Sequence, residues 1–158
     1  MSNQPSREVD VEIESEAWTR AAPSAEDLAR EAALVGLGTE AGAVVILLTD
    51  DESLRDLNQR FRGKDAATNV LAFPAPPNPD GHLGDIALAF EVCEREALAQ
   101  AKPLADHLRH LVIHGVLHLL GHDHQDEDEA RVMEALETQR LAVLGVPDPY
   151  RFEAASSG

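Results

Sequence analysis

Six of the seven histidines in this 158-residue sequence fall between His107 and His124, and positions 114–124 read HGVLHLLGHDH. His114 and His118 are four residues apart. On an α-helix that spacing puts two imidazoles on one face, one turn apart and offset by only about 40°. Gly121 follows, and a glycine there can end the helix in a left-handed conformation. The returning chain can then bring His124 to the pair. Three imidazoles leave one tetrahedral position for water or substrate, which is the catalytic form of a zinc site. Nickel, copper or iron could use the same ligands. A lone histidine on an apolar helix is usually an ordinary core or surface residue. Three at this spacing, interrupted by a helix-stopping glycine, point to one zinc ion.

The long zinc-protease signature has the same three histidines and the same glycine. It also has a glutamate after the first histidine as general base. Here that residue is Gly115, which cannot accept a proton, so zinc itself would have to activate water by lowering its pKa. His107 and His110 read as helix-surface residues or as supports for the ligands. Asp123 is placed either to orient a ligand imidazole or to cap the turn. His82 has no partner visible in the sequence. Cys93, on a helical stretch among apolar residues, reads as a small buried hydrophobe, and would join the histidines only if the fold brought it there.

A second chemical feature is QRFRGKDAATNVLAFP (59–74), where Arg60, Arg62 and Lys64 form a dense basic cluster in an acidic chain. An arginine at the end of this helix can hold a phosphate through two parallel hydrogen bonds. The same residue types would equally complement a helix C-terminus.

Several elements must position these groups. VDVEI (9–13) alternates as a half-buried strand does, after a loose terminus over residues 1–7. AEDLAREAALVGLG (25–38) follows a cap signal and ends on glycine. AVVILLTD (43–50) is a central strand. DDESLRDLNQRFRG (50–63) is a helix capped by Asp50 or Asp51, with Leu54, Leu57 and Phe61 on one face. NVLAF (69–73) and GDIALAF (84–90) are strands flanking an exposed turn-rich loop (75–84), and EVCEREALAQ (91–100) is helical. An apolar helix from Leu104 to Leu120 carries the histidines, and the last helix, 126–145, is acidic at its start. Residues 154–158 form another loose end. These elements lack strict βα alternation. They predict an α+β fold: one domain over 1–158, a mixed four-stranded sheet, about five helices around it, and a metal site at the end of the His-rich helix.

The bulk composition narrows the setting. The chain has no apolar run long enough to span a membrane and no secretory leader, and its one cysteine cannot form an internal disulfide. These features predict a cytoplasmic protein. A formal net charge of −16 with only two lysines, Lys64 and Lys102, argues against a protein that coats nucleic acid, since such proteins neutralise phosphates with surplus Lys and Arg.

LNQRFRGKDAATNVLAFP (57–74), HLGDIALAFEVCEREA (82–97) and HLVIHGVLHLLGHDHQDEDEARVMEALETQRLAVLGVPDPY (110–150) together resemble the bacterial YbeY endoribonucleases, or rRNA maturation factors. The resemblance runs from about Val44 to Tyr150. It implies a zinc-dependent, single-strand-specific endoribonuclease acting in ribosomal RNA processing, notably 3′-end maturation of 16S ribosomal RNA, and in ribosome quality control. It implies His114, His118 and His124 as metal ligands and Arg62 as the functional arginine; Arg60 and Lys64, from the same basic segment, are the candidate substrate-binding residues. Single-stranded RNA, ribosomal RNA and the small ribosomal subunit with its assembly proteins become the expected partners. His122 stands where the family often has tyrosine, and Ala66, Ala67 and Ala72 replace a basic residue, a proline and a serine. A zinc metallopeptidase and a non-catalytic ribosome-assembly factor with a structural zinc are the alternatives.

Overall fold

A computed structural model describes residues 6–64, 68–123 and 125–150. Its sheet has four strands among the described residues: β1 (Arg7–Ile13), β2 (Gly42–Thr49), β3 (Val70–Pro74) and β4 (His82–Ala89), in the order β1-β2-β4-β3. β1 and β2 are parallel, β2 and β4 are parallel, and β3 runs antiparallel to β4. The sheet is therefore mixed, as expected. Six helices are described rather than about five: α1 (Ala17–Ala21), α2 (Ala25–Leu37), α3 (Asp51–Arg62), α4 (Phe90–Ala99), α5 (Leu104–Leu119) and α6 (Glu127–Val143). The additional one, α1, is a single turn too short to show helical periodicity. It exists because Trp18 is fully buried, edge-on to Phe90, and donates its indole N–H to the Thr49 carbonyl at 2.9 Å.

Element boundaries moved for identifiable reasons. β1 begins at Arg7, inside the expected loose terminus, because pairing with β2 continues to Arg7 opposite Gly42. β4 begins at His82 rather than Gly84, and Phe90 opens α4 instead of closing the strand. His82 has a partner after all, its Nε2 lying 3.0 Å from Asp85 Oδ1. Asp50 caps α3 by accepting the Ser53 N–H at 2.8 Å, whereas Asp51 accepts the N–H of Val92 at the start of α4.

Helices cover both faces of the sheet. On one face Val44, Ile46, Ile86 and Leu88 pack against α2 and α5 through Ala29, Ala33, Val112, Ile113 and Val116. On the other, Ala87, Ala89 and Leu71 pack under Leu54 and Leu57 of α3. The period-two alternation of a strand sends neighbours such as Ile86 and Ala87 to opposite faces. Phe61 does not share the burial of Leu54. It is 67% exposed and packs its ring against Phe73 of the edge strand β3, ring centroids 5.4 Å apart. No helix among the described residues is long and apolar enough to cross a membrane.

Candidate functional site

A cleft of about 840 Å³ opens between the end of α3, the edge strand β3, α5 and the turn after it. His114 and His118 lie on one wall; Arg62 and Lys64 lie on the other, with Asp123 also lining the space. Two motifs about fifty residues apart in the chain thus face one cavity.

The histidine wall follows from local structure. His114 and His118 sit on α5 with ring centroids 4.7 Å apart. Their neighbour Gly115 is where α5 presses on the sheet: a Cβ there would meet Ile86 Cγ2 at 2.9 Å and Cδ1 at 3.0 Å. The position that holds glutamate in the protease signature is occupied here by a close helix–sheet contact of α5, where any side chain would have to displace Ile86. After Leu119 the helix stops as expected at Gly121, φ +101°. The Gly121 N–H donates to the His118 carbonyl at 3.0 Å and the His122 N–H to Leu117 at 3.0 Å, the paired bonds of a Schellman C-cap. This turn carries His122 and Asp123 back to the cleft. His124, the expected third ligand, lies outside the described residues.

The basic wall is built on the sheet edge. Gly63 ends α3 in the left-handed region, φ +68°. Arg62 Nη2 donates to the Ala72 carbonyl of β3 at 3.0 Å, and its guanidinium carbon lies 6.0 Å from the centre of the Phe73 ring. The edge carbonyl and the ring fix the arginine from behind while leaving it exposed. Lys64 lines the cleft. Arg60 does not: it turns to Asp56, Nε to Oδ2 3.2 Å, one turn back on α3.

Behind the histidines stands Glu137 of α6, 1% exposed. Its Oε1 accepts from the Tyr150 hydroxyl at 3.0 Å and lies 2.6 Å from His110 Nε2 and 3.3 Å from His114 Nδ1. Burial alone would raise this carboxyl; the bonds and charge of His110 and His114 more than reverse that and hold it at about 2. Glu137 was not among the residues singled out by sequence, although it sits between buried Met133 and Leu141 at helical spacing. An acid on the apolar stripe of a helix needs buried partners. His110 is half-buried and stands as a support behind the histidine pair rather than on the open helix surface. His107 is buried, but it belongs elsewhere, with Nε2 2.9 Å from Glu96 Oε1. Cys93 is fully buried on α4, where burial pushes its thiol pKa up, followed by the charge of Glu96. Its Sγ faces the Asn69 carbonyl at 3.6 Å.

The donor chemistry of His114 and His118 suits a zinc ion, and among the described residues they supply two ligands, with no group of three. His114 engages Glu137 through Nδ1, so the opposite ring nitrogen is the one available for coordination. Imidazoles backed by a carboxylate are the usual donor set for that metal.

A mixed sheet flanked by helices, with paired helical histidines and an arginine lining one cleft, defines an α+β domain with a single polar cleft as its candidate site. The family model described as Endoribonuclease YbeY matches residues 4–145, and the chain belongs to that family. It is 52% identical to the Endoribonuclease YbeY of Maricaulis maris over 153 residues, covering 95% of this chain and 96% of that one. With the Endoribonuclease YbeY of Paramagnetospirillum magneticum it shares 49% identity over 156 residues, 90% and 95% of the two chains. A protein of Thermotoga maritima solved in solution superposes with a TM-score of 0.58 at 24% identity, over 84% of this chain and 86% of that one, which agrees on the fold.

Proposed function

We propose that this chain is a zinc-dependent endoribonuclease that cuts single-stranded RNA in the cytoplasm and matures ribosomal RNA, including the 3′ end of 16S ribosomal RNA, in ribosome processing and quality control. The observation that carries the reading is the cleft that sets His114 and His118 opposite Arg62 and Lys64. His114 and His118, with His124, would hold the metal. When bound, zinc supplies a Lewis acid that lowers the pKa of water and polarises a phosphoryl oxygen. Arg62, anchored by the Ala72 carbonyl, binds the scissile phosphate and offsets the charge that grows as phosphorus is attacked. Lys64 neutralises a neighbouring phosphate. The exposed ring of Phe61 next to Arg62 gives an unpaired base a face to stack on, an interaction that a duplex cannot make without unstacking. Gly115 offers no proton acceptor where a peptidase of this signature has its glutamate base, and a Cβ there would meet Ile86 Cγ2 at 2.9 Å. A chain of net charge −16 repels free RNA at long range, so a ribosomal partner presents the substrate.

The test combines metal analysis with two substrates, single-stranded RNA and casein. Wild type should carry one zinc per chain and cut RNA, and His114→Ala should lose both properties. Proteolysis that vanishes in His114→Ala while RNA stays intact would establish the peptidase instead. A folded, zinc-loaded wild type that cuts neither, combined with unfolding of His118→Ala, would leave a structural zinc in an assembly factor.

A further inference from the structure

Glu137 has no part in the chemistry above, yet three donors from two segments converge on one of its oxygens: His110 and His114 of α5 and Tyr150 beyond α6. A buried carboxylate placed only to hold two helices together would be served by any donor. This one is aimed at a residue that lines the cleft. We infer that Glu137 is the positioning residue of the metal centre, fixing His114 as the tautomer with its proton on Nδ1 and Nε2 left to coordinate. The inference rests on the metal reading given above.

The chemistry of the partners is consistent throughout. An ionised carboxylate only accepts hydrogen bonds, so a neutral imidazole facing it must carry its proton on the facing nitrogen. For His114 that nitrogen is Nδ1, and for His110 it is Nε2. His110 Nδ1 is then the unprotonated nitrogen, and it has no hydrogen-bond partner among the described residues. His110 and Tyr150 hold the carboxylate where His114 needs it. Tyr150 is itself placed by a turn: its N–H donates to Asp148 Oδ1 at 2.9 Å, and Asp148 accepts from Thr138 of α6 at 3.2 Å. The segment after α6 therefore reaches the metal histidine through one carboxylate. Such outer partners set ring orientation and ligand basicity, and their loss typically weakens metal binding by about 10–100-fold.

The experiment compares full-length wild type, Glu137→Gln and Tyr150→Phe. The imidazole nitrogen spectrum of the metal-free protein gives the His114 tautomer, and competition with a chelating dye gives the zinc Kd. Wild type should show the Nδ1–H form. Glu137→Gln should raise the Kd about 10–100-fold, and Tyr150→Phe, which keeps the carboxylate, should raise it less. A wild-type His114 protonated on Nε2 overturns the inference, and so does a zinc Kd unchanged in both variants. Should Glu137→Gln not fold, the wild-type tautomer and Tyr150→Phe still decide. If wild type binds no zinc, the metal reading fails, while the tautomer measurement separately tests the positioning.

Discussion

Arg62 is held by the Ala72 carbonyl on one side and faces the cleft on the other. Those two contacts separate its roles. Arg62→Ala should keep zinc content and shift the melting temperature little, because an exposed arginine bond contributes on the order of 1 kcal/mol. RNA cleavage should fall by at least about 100-fold, the usual cost of removing a transition-state donor. Loss of stability with retained cleavage would assign the arginine to the fold. His107 gives a prediction about pH. Burial lowers its pKa, only partly countered by the Glu96 hydrogen bond, while Lys102 and His110 push it further down. The unfolded chain therefore binds this proton first. Stability is full above about pH 6.5, the ordinary histidine value, and falls as pH drops from there through the depressed native value. One such proton limits the slope to about 1.4 kcal/mol per pH unit. Urea melts between pH 7.5 and 5 should show this decline, and His107→Gln should flatten it.

Among the elements, α5 must lie close enough to β4 for its histidines to reach the cleft, and Gly115 sets that distance. Gly115→Ala gains helix propensity of about 1 kcal/mol. It also forces a methyl to within 2.9 Å of Ile86 Cγ2, a β-branched side chain in the middle of the core. Overpacking of this kind costs about 1–3 kcal/mol. A net loss of about 1 kcal/mol is expected in chemical denaturation, with Ile86→Val partly restoring it. A more stable Gly115→Ala would mean that the helix can lift without cost. At the opposite wall, α3 leaves Phe61 exposed beside Arg62. Phe61→Ala should weaken single-stranded RNA binding by about 1–3 kcal/mol and leave zinc binding intact. An unchanged RNA Kd would remove the stacking role.

For the whole molecule, charge is the dominant fact. A net charge of −16 surrounds a cleft with two cationic residues on its basic wall, Arg62 and Lys64. Binding to single strands loses about 0.7 in log K per decade of salt for each phosphate neutralised, so two contacts predict a slope near −1.4. A slope steeper than about −4 would mean that cationic residues outside this cleft take part in binding. Raising salt from very low values should also speed encounter, by screening long-range repulsion.

Spacing alone determined the pairing of His114 with His118, because the period of a helix is a local property. The stop at Gly121 was equally legible, since a left-handed C-cap depends on one residue type. The strands of the sheet and their alternation followed from apolar patterning, and the nuclease function from three motifs that resemble one family. Other features needed the tertiary structure. The short helix α1 depends on a distant carbonyl, that of Thr49, which receives the Trp18 indole. Arg60 and Arg62 look equivalent in sequence, but only the direction of α3 across the sheet edge sends one to Asp56 and the other to the cleft. Glu137 announced itself only as an acid on a buried stripe. Which groups it meets was decided by the packing of α6 on α5, where hydrogen bonds join residues 23 and 27 positions apart. Local rules place a side chain on a face, whereas its partner is chosen by long-range packing.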